Sequence, residues 1–189
     1  MNSNTNTRSK GIEPEVFGLW IANGSILMMF AAFTSAYIVR QAQGNWLEFR
    51  LPEWFFWSTL IIVASSFTIH FAYKNFLARN IQMYKKLYLV TFVLGVLFVV
   101  TQYLGWLAMT DSGVELTGNP AGSFVYVISG VHALHVLGGL AALAVGVLKM
   151  YLLPNGFSHK RKTRFKMMVH YWHFVDILWI YLLLFFILQ

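Results

Sequence analysis

Five long apolar runs divide the chain, and polar or charged residues gather between them. The runs occupy roughly 16–39, 54–77, 87–109, 123–153 and 165–188. Each is long enough to cross a hydrocarbon core of about 30 Å at about 1.5 Å per residue. The predicted fold is therefore all-α, a polytopic membrane protein built as a bundle of five transmembrane helices. It forms a single transmembrane domain over 1–189, with 1–13 as a polar N-terminal tail. Pro14 suits the first turn of the first helix, and Glu13 and Glu15 suit its positive end. Trp54 and Trp57 read as interfacial anchors of the second. The first run is too long for a cleaved signal, so none is expected.

Composition agrees with the pattern. The chain is 58% hydrophobic and only 11% charged, which excludes an ordinary soluble domain. It has no cysteine, so disulfides and thiolate metal sites are excluded. The net charge of +7 raises nucleic acid as a partner. The basic residues lie between apolar runs, however, which assigns them to membrane orientation and sets nucleic acid aside. If the spans alternate, twelve of the fourteen basic residues fall on one side. The positive-inside rule makes that side cytoplasmic, with the N-terminus inside and the C-terminus outside. The third connection, TDSGVELTGNPAGS, is acidic and rich in turn residues. The fourth carries Lys160, Arg161, Lys162 and Arg164, which suit contact with anionic lipid head groups.

Candidate chemistry collects in the last two spans. His170, His173 and Asp176 recur every three residues, roughly on one side of the fifth helix. Asp176 is the one acid inside a span, and a carboxylate there needs a partner or a proton. In the fourth span His132 and His135 stand beside a small-residue seam of Gly138, Gly139, Ala142 and Gly146, where another helix can approach closely. The expected arrangement is a buried polar cluster of His132, His135, His173 and Asp176, with Asp176 locked to a histidine of the fourth helix. Three uses remain open: inter-helix hydrogen bonding, proton transfer, or ligation of a metal or haem. Asn23, Ser25, Thr101 and Gln102 read as further inter-helix hydrogen-bonders. Nothing has the form of a phosphate loop, a nucleophile–base pair or a metalloprotease motif.

These same residues carry a resemblance. YWHFVDILW, Tyr171 to Trp179, resembles the terminal signature of subunit III of haem-copper respiratory oxidases. SGVHALHVLGG, Ser129 to Gly139, is similar to that family's histidine-bearing segment, and MFAAFTSAY, Met29 to Tyr37, to one of its earlier helices. Gln102 falls where the family often has glutamine. There are departures. Relatives often have seven helices, and this chain resembles the five-helix bacterial form. Ile26 stands where the family commonly has a glutamate, and Gly105 where many relatives have an acid.

The resemblance implies a non-catalytic subunit of a proton-pumping terminal oxidase in aerobic respiration, in a bacterial cytoplasmic membrane, with cytochrome c favoured over quinol as donor. Such a subunit would hold no active site, haem or metal; haem and copper would lie in partner subunits. It would bind phospholipid and sustain proton uptake. It would pack directly on subunit I, with subunit II and small subunits or a supercomplex as further partners. The competing reading is a small haem-binding membrane cytochrome that uses His132/His135 and His170/His173.

Overall fold

A computed structural model describes residues 14–152 and 158–189. The polar tail at 1–13 and the end of the fourth span with its connection, 153–157, lie outside the described residues. Five helices follow in order: α1 Pro14–Gln41, α2 Trp54–Leu77, α3 Ile81–Asp111, α4 Pro120–Leu152 and α5 His159–Leu188. All five are long and apolar enough to span a membrane, and the described residues contain no strand.

Two helices begin six residues before their apolar runs. Asn80 caps α3, its side chain accepting from the Met83 N–H at 3.3 Å, so the helix starts six residues before the run at 87. Ser158 caps α5 in the same way, accepting from the Arg161 N–H at 3.2 Å. A side-chain oxygen at this position satisfies an orphan N–H of the first turn. The basic stretch Lys160 to Lys166 is consequently the first two turns of α5 rather than a loop.

The turn between α2 and α3 is short, with Arg79 at φ 57°. The two helices therefore run back along each other as a hairpin. Hydroxyl and amide pairs cross it: Thr68 with Thr91 at 2.8 Å, and Gln102 Nε2 to Ser58 Oγ at 2.9 Å. At the other end, Asn119 ties the α1–α2 connection to the start of α4. Its Oδ1 accepts from Leu47 N and Ala121 N, and its Nδ2 donates to Asn45 O.

Helix α5 is the centre of the bundle. It packs on α1, α2 and α4 and reaches α3 through its tryptophans. Helix α1 runs parallel to α5. Thr34 meets the Tyr181 hydroxyl at 3.0 Å, and Gln41 Nε2 donates to Gln189 O at the far end.

Candidate functional site

The signature segment of α5 places its tryptophans in the middle of the bundle. Trp172 and Trp179 are both fully buried. A buried indole N–H requires an acceptor. Trp172 Nε1 donates to Ser65 Oγ and Trp179 Nε1 to Thr59 Oγ1, each at 2.9 Å, and both hydroxyls come from α2. The Trp172 ring is wedged between two glycines of other helices. A Cβ at Gly95 of α3 would lie 2.9 Å from its ring, and one at Gly139 of α4 would lie 3.1 Å away. Trp179 stacks on Phe55 at 5.8 Å, and a Cβ at Gly105 would press on Phe55 at 3.0 Å. Gly105 makes room for that aromatic ring.

The expected four-residue polar cluster divides into two sites. On α4, His132 is fully buried and ringed by Phe30 at 6.3 Å, Phe98 at 5.9 Å and Trp179 at 5.1 Å. Neither of its ring nitrogens has a hydrogen-bond partner. His135 turns Nδ1 back to the Val131 carbonyl of its own helix at 2.8 Å, and the Tyr171 hydroxyl donates to the His135 carbonyl. The second site joins α5 to α2. His173 Nδ1 is 2.5 Å from Ser66 Oγ, and the buried Asp176 carboxyl lies near Ser66. One Asp176 oxygen is buried without a partner.

The expected lock between Asp176 and a histidine of α4 is therefore not formed. The reason is helical geometry. A three-residue step turns about 300° at 3.6 residues per turn, so each repeat drifts by about 60°. His170 is exposed, His173 is partly covered, and Asp176 is buried against α2. Trp172 and Trp179 occupy the side that faces α3 and α4. His170 bonds back to the Lys166 carbonyl at 2.8 Å and meets Trp20 of α1 edge-on.

The α2 hydroxyls were not foreseen from sequence, although a signal existed. Ser58, Ser65 and Ala72 recur every seven residues along α2 and are all buried. That spacing marks a packing seam of small side chains.

The expected seam of α4 also divides. Gly139 is in close contact as described, and a Cβ at Gly146 would collide with the Tyr88 hydroxyl. Gly138 has nothing within 4 Å, and Ala142 is exposed. These last two instead line a groove of about 1150 Å³ between α1, α3, α4 and α5. Its mouth carries Lys149, Lys160, Arg161 and Arg164, while Lys162 is exposed and does not line it.

The geometry offers no seat for haem at His132, whose nitrogens are sealed by rings. Among the described residues no three His, Asp or Glu side chains converge as a metal site requires.

Comparison with known proteins agrees with this architecture. Residues 48–188 match the family model described as Cytochrome c oxidase subunit III. A probable cytochrome c oxidase subunit 3 of Nocardia farcinica is 30% identical over 172 residues, covering 86% of this chain and 80% of the relative. The corresponding protein of Mycobacterium tuberculosis is 32% identical over the same shares. Cytochrome c oxidase subunit 3 of Thermostichus vulcanus is 30% identical over 88% of this chain and 83% of its own.

Proposed function

This chain belongs to the cytochrome c oxidase subunit III family, and from that premise we propose that it is a non-catalytic subunit of a proton-pumping haem-copper oxidase. The observation that carries the reading is the use of the YWHFVDILW segment. Its two tryptophans and its histidine hold α5 to α2, and its tryptophans also fill the contacts with α3 and α4, so the signature builds the bundle. Electron transfer and oxygen reduction then belong to partner subunits that carry haem and copper. The chain packs on subunit I in a bacterial cytoplasmic membrane, with subunit II and smaller subunits alongside. Cytochrome c, for which the relatives are named, is the favoured donor over quinol.

Its contribution is to hold lipid and to sustain proton uptake by the neighbouring subunit. The groove beside Gly138 and Ala142 supports the lipid role. Its lining is mostly apolar, and Lys149, Lys160, Arg161 and Arg164 along it suit a phosphate head group. The proposed domain is a single transmembrane unit with the N-terminus inside and the C-terminus outside. The charge sorting of the connections supports that orientation.

Affinity purification through a tag on this chain tests the reading. The expected eluate contains the haem- and copper-bearing subunits and consumes oxygen with reduced cytochrome c. A chain that elutes alone with a stoichiometric Soret band would replace this function with that of a small haem cytochrome.

A further inference from the structure

Three tyrosines line the groove between α1, α3, α4 and α5, and they are not used alike. The Tyr171 hydroxyl donates to the His135 carbonyl at 3.0 Å. Tyr84 lies beside Arg161. Tyr88 is only 4% exposed, and its hydroxyl has no hydrogen-bond partner among the described residues. Unlike the nitrogens of His132, this oxygen is not sealed by its neighbours; it lies on the groove wall. Two contacts fix it there. Phe165 of α5 packs edge-on against the Tyr88 ring at 5.5 Å, and a Cβ at Gly146 of α4 would collide with the hydroxyl.

A buried hydroxyl costs free energy unless it is hydrogen-bonded, so this one is left for whatever fills the groove. Its depth indicates the group it meets. Lys149 stands three residues beyond Gly146 on α4, about 4.5 Å nearer the basic end at about 1.5 Å per residue. A phosphate held by Lys149, Arg161 and Arg164 therefore leaves the Tyr88 hydroxyl a short step further in, where the lining turns to Gly138, Ala142 and Val145. In a glycerophospholipid the groups one glycerol beyond the phosphate, at the head of the acyl chains, are ester carbonyls. A carbonyl accepts a hydrogen bond and an O–H donates one, so the two match. The charge of the lining selects the head group. Glu15 is the one acid on the wall against four bases, which favours a lipid of net negative charge.

We propose, on the premise that the groove holds lipid, that it selects an anionic glycerophospholipid with ester-linked chains, and that Tyr88 reads the ester by donating its hydroxyl to the carbonyl. Lys149, Arg161 and Arg164 hold the phosphate, and the chains run down past Gly138 and Ala142.

The test uses the complete oxidase in detergent and a phosphatidylglycerol with a photoreactive group in one acyl chain, which is expected to label this chain saturably. Unlabelled phosphatidylglycerols then compete, one with ester-linked and one with ether-linked chains of equal length. The ether lipid keeps head group and chains but lacks the carbonyl. The ester lipid is expected to compete at a concentration about 3–10-fold lower, the worth of one hydrogen bond, and Tyr88→Phe is expected to bring the two together. Ester-linked phosphatidylcholine is expected to compete more weakly than ester-linked phosphatidylglycerol. Gly138→Leu, which builds into open space, is expected to block labelling while the subunit stays in the complex. Equal competition by ester and ether lipids, an ester preference that survives Tyr88→Phe, or equal competition by phosphatidylcholine overturns the proposal and leaves the lipid role standing. Competition by inorganic phosphate as strong as by the ester lipid shows a free-anion site and also overturns it. Labelling that does not saturate, or that persists in Gly138→Leu, overturns the lipid role of the groove itself.

Discussion

At the scale of single residues, the bundle depends on where side chains are missing as much as on where they are present. Gly95 admits Trp172 between α3 and α4, and an added methyl would sit 2.7 Å from Leu140 Cδ2. Gly95→Ala is expected to cost about 1–3 kcal/mol, the usual range for overpacking a filled core. Gly138→Ala meets open space and is expected to be neutral. Thermal denaturation of the two variants in lipid nanodiscs makes the comparison, and equal midpoints would show that Trp172 is not clamped. Asp176 gives a second contrast. It lies buried beside Ser66 of α2, and the loss of one buried polar contact costs about 1–3 kcal/mol. Asp176→Asn retains hydrogen bonding and is expected to assemble better than Asp176→Leu. A double-mutant cycle is expected to couple Asp176 to Ser66 by about 0.5–3 kcal/mol and to leave Asp176 and His132 additive. Coupling to His132 would restore the inter-helix lock that the sequence suggested.

At the scale of elements, α1 is the loosest helix. Its most apolar window is 11% buried, against 44% for α5. Its C-terminal half is fastened by the Thr34–Tyr181 and Gln41–Gln189 bonds and by Tyr37 packed among Trp46, Phe124 and Phe185. Its N-terminal half borders the groove through Gly18, Leu19 and Ala22. Hydrogen exchange in nanodiscs is expected to be faster in α1 before Asn23 than in the C-terminal half or in α5. Uniform protection along α1 would contradict this. The five spans themselves were legible because hydrocarbon thickness imposes their length. Their early starts at Ile81 and His159 were not, since polar first turns carry no hydropathy signal and depend on the caps Asn80 and Ser158. The buried faces were also hidden. A Leu or Val suits a lipid tail as well as a neighbouring helix, so apolar periodicity does not separate them. That His132 enters an aromatic ring of neighbours while His173 meets Ser66 is decided by which helices adjoin, which spacing within one helix does not specify.

At the scale of the molecule, the chain is a bundle whose most buried helix is α5, with a basic end and a groove of about 1150 Å³. The proposed orientation rests on the charge sorting. A cysteine at Ser112 is expected to react with an impermeant reagent from outside, and one at Ser158 from inside only; the reverse pattern would invert the topology. The central claim is that the chain serves an oxidase without holding its cofactors. The direct measurement is to strip this chain from the purified oxidase with detergent and assay haem and copper in both fractions. The account predicts that all haem and copper stay with the remaining subunits, which still reduce oxygen on first mixing, and that the stripped chain carries neither. Haem or copper leaving with the chain in stoichiometric amount would contradict it.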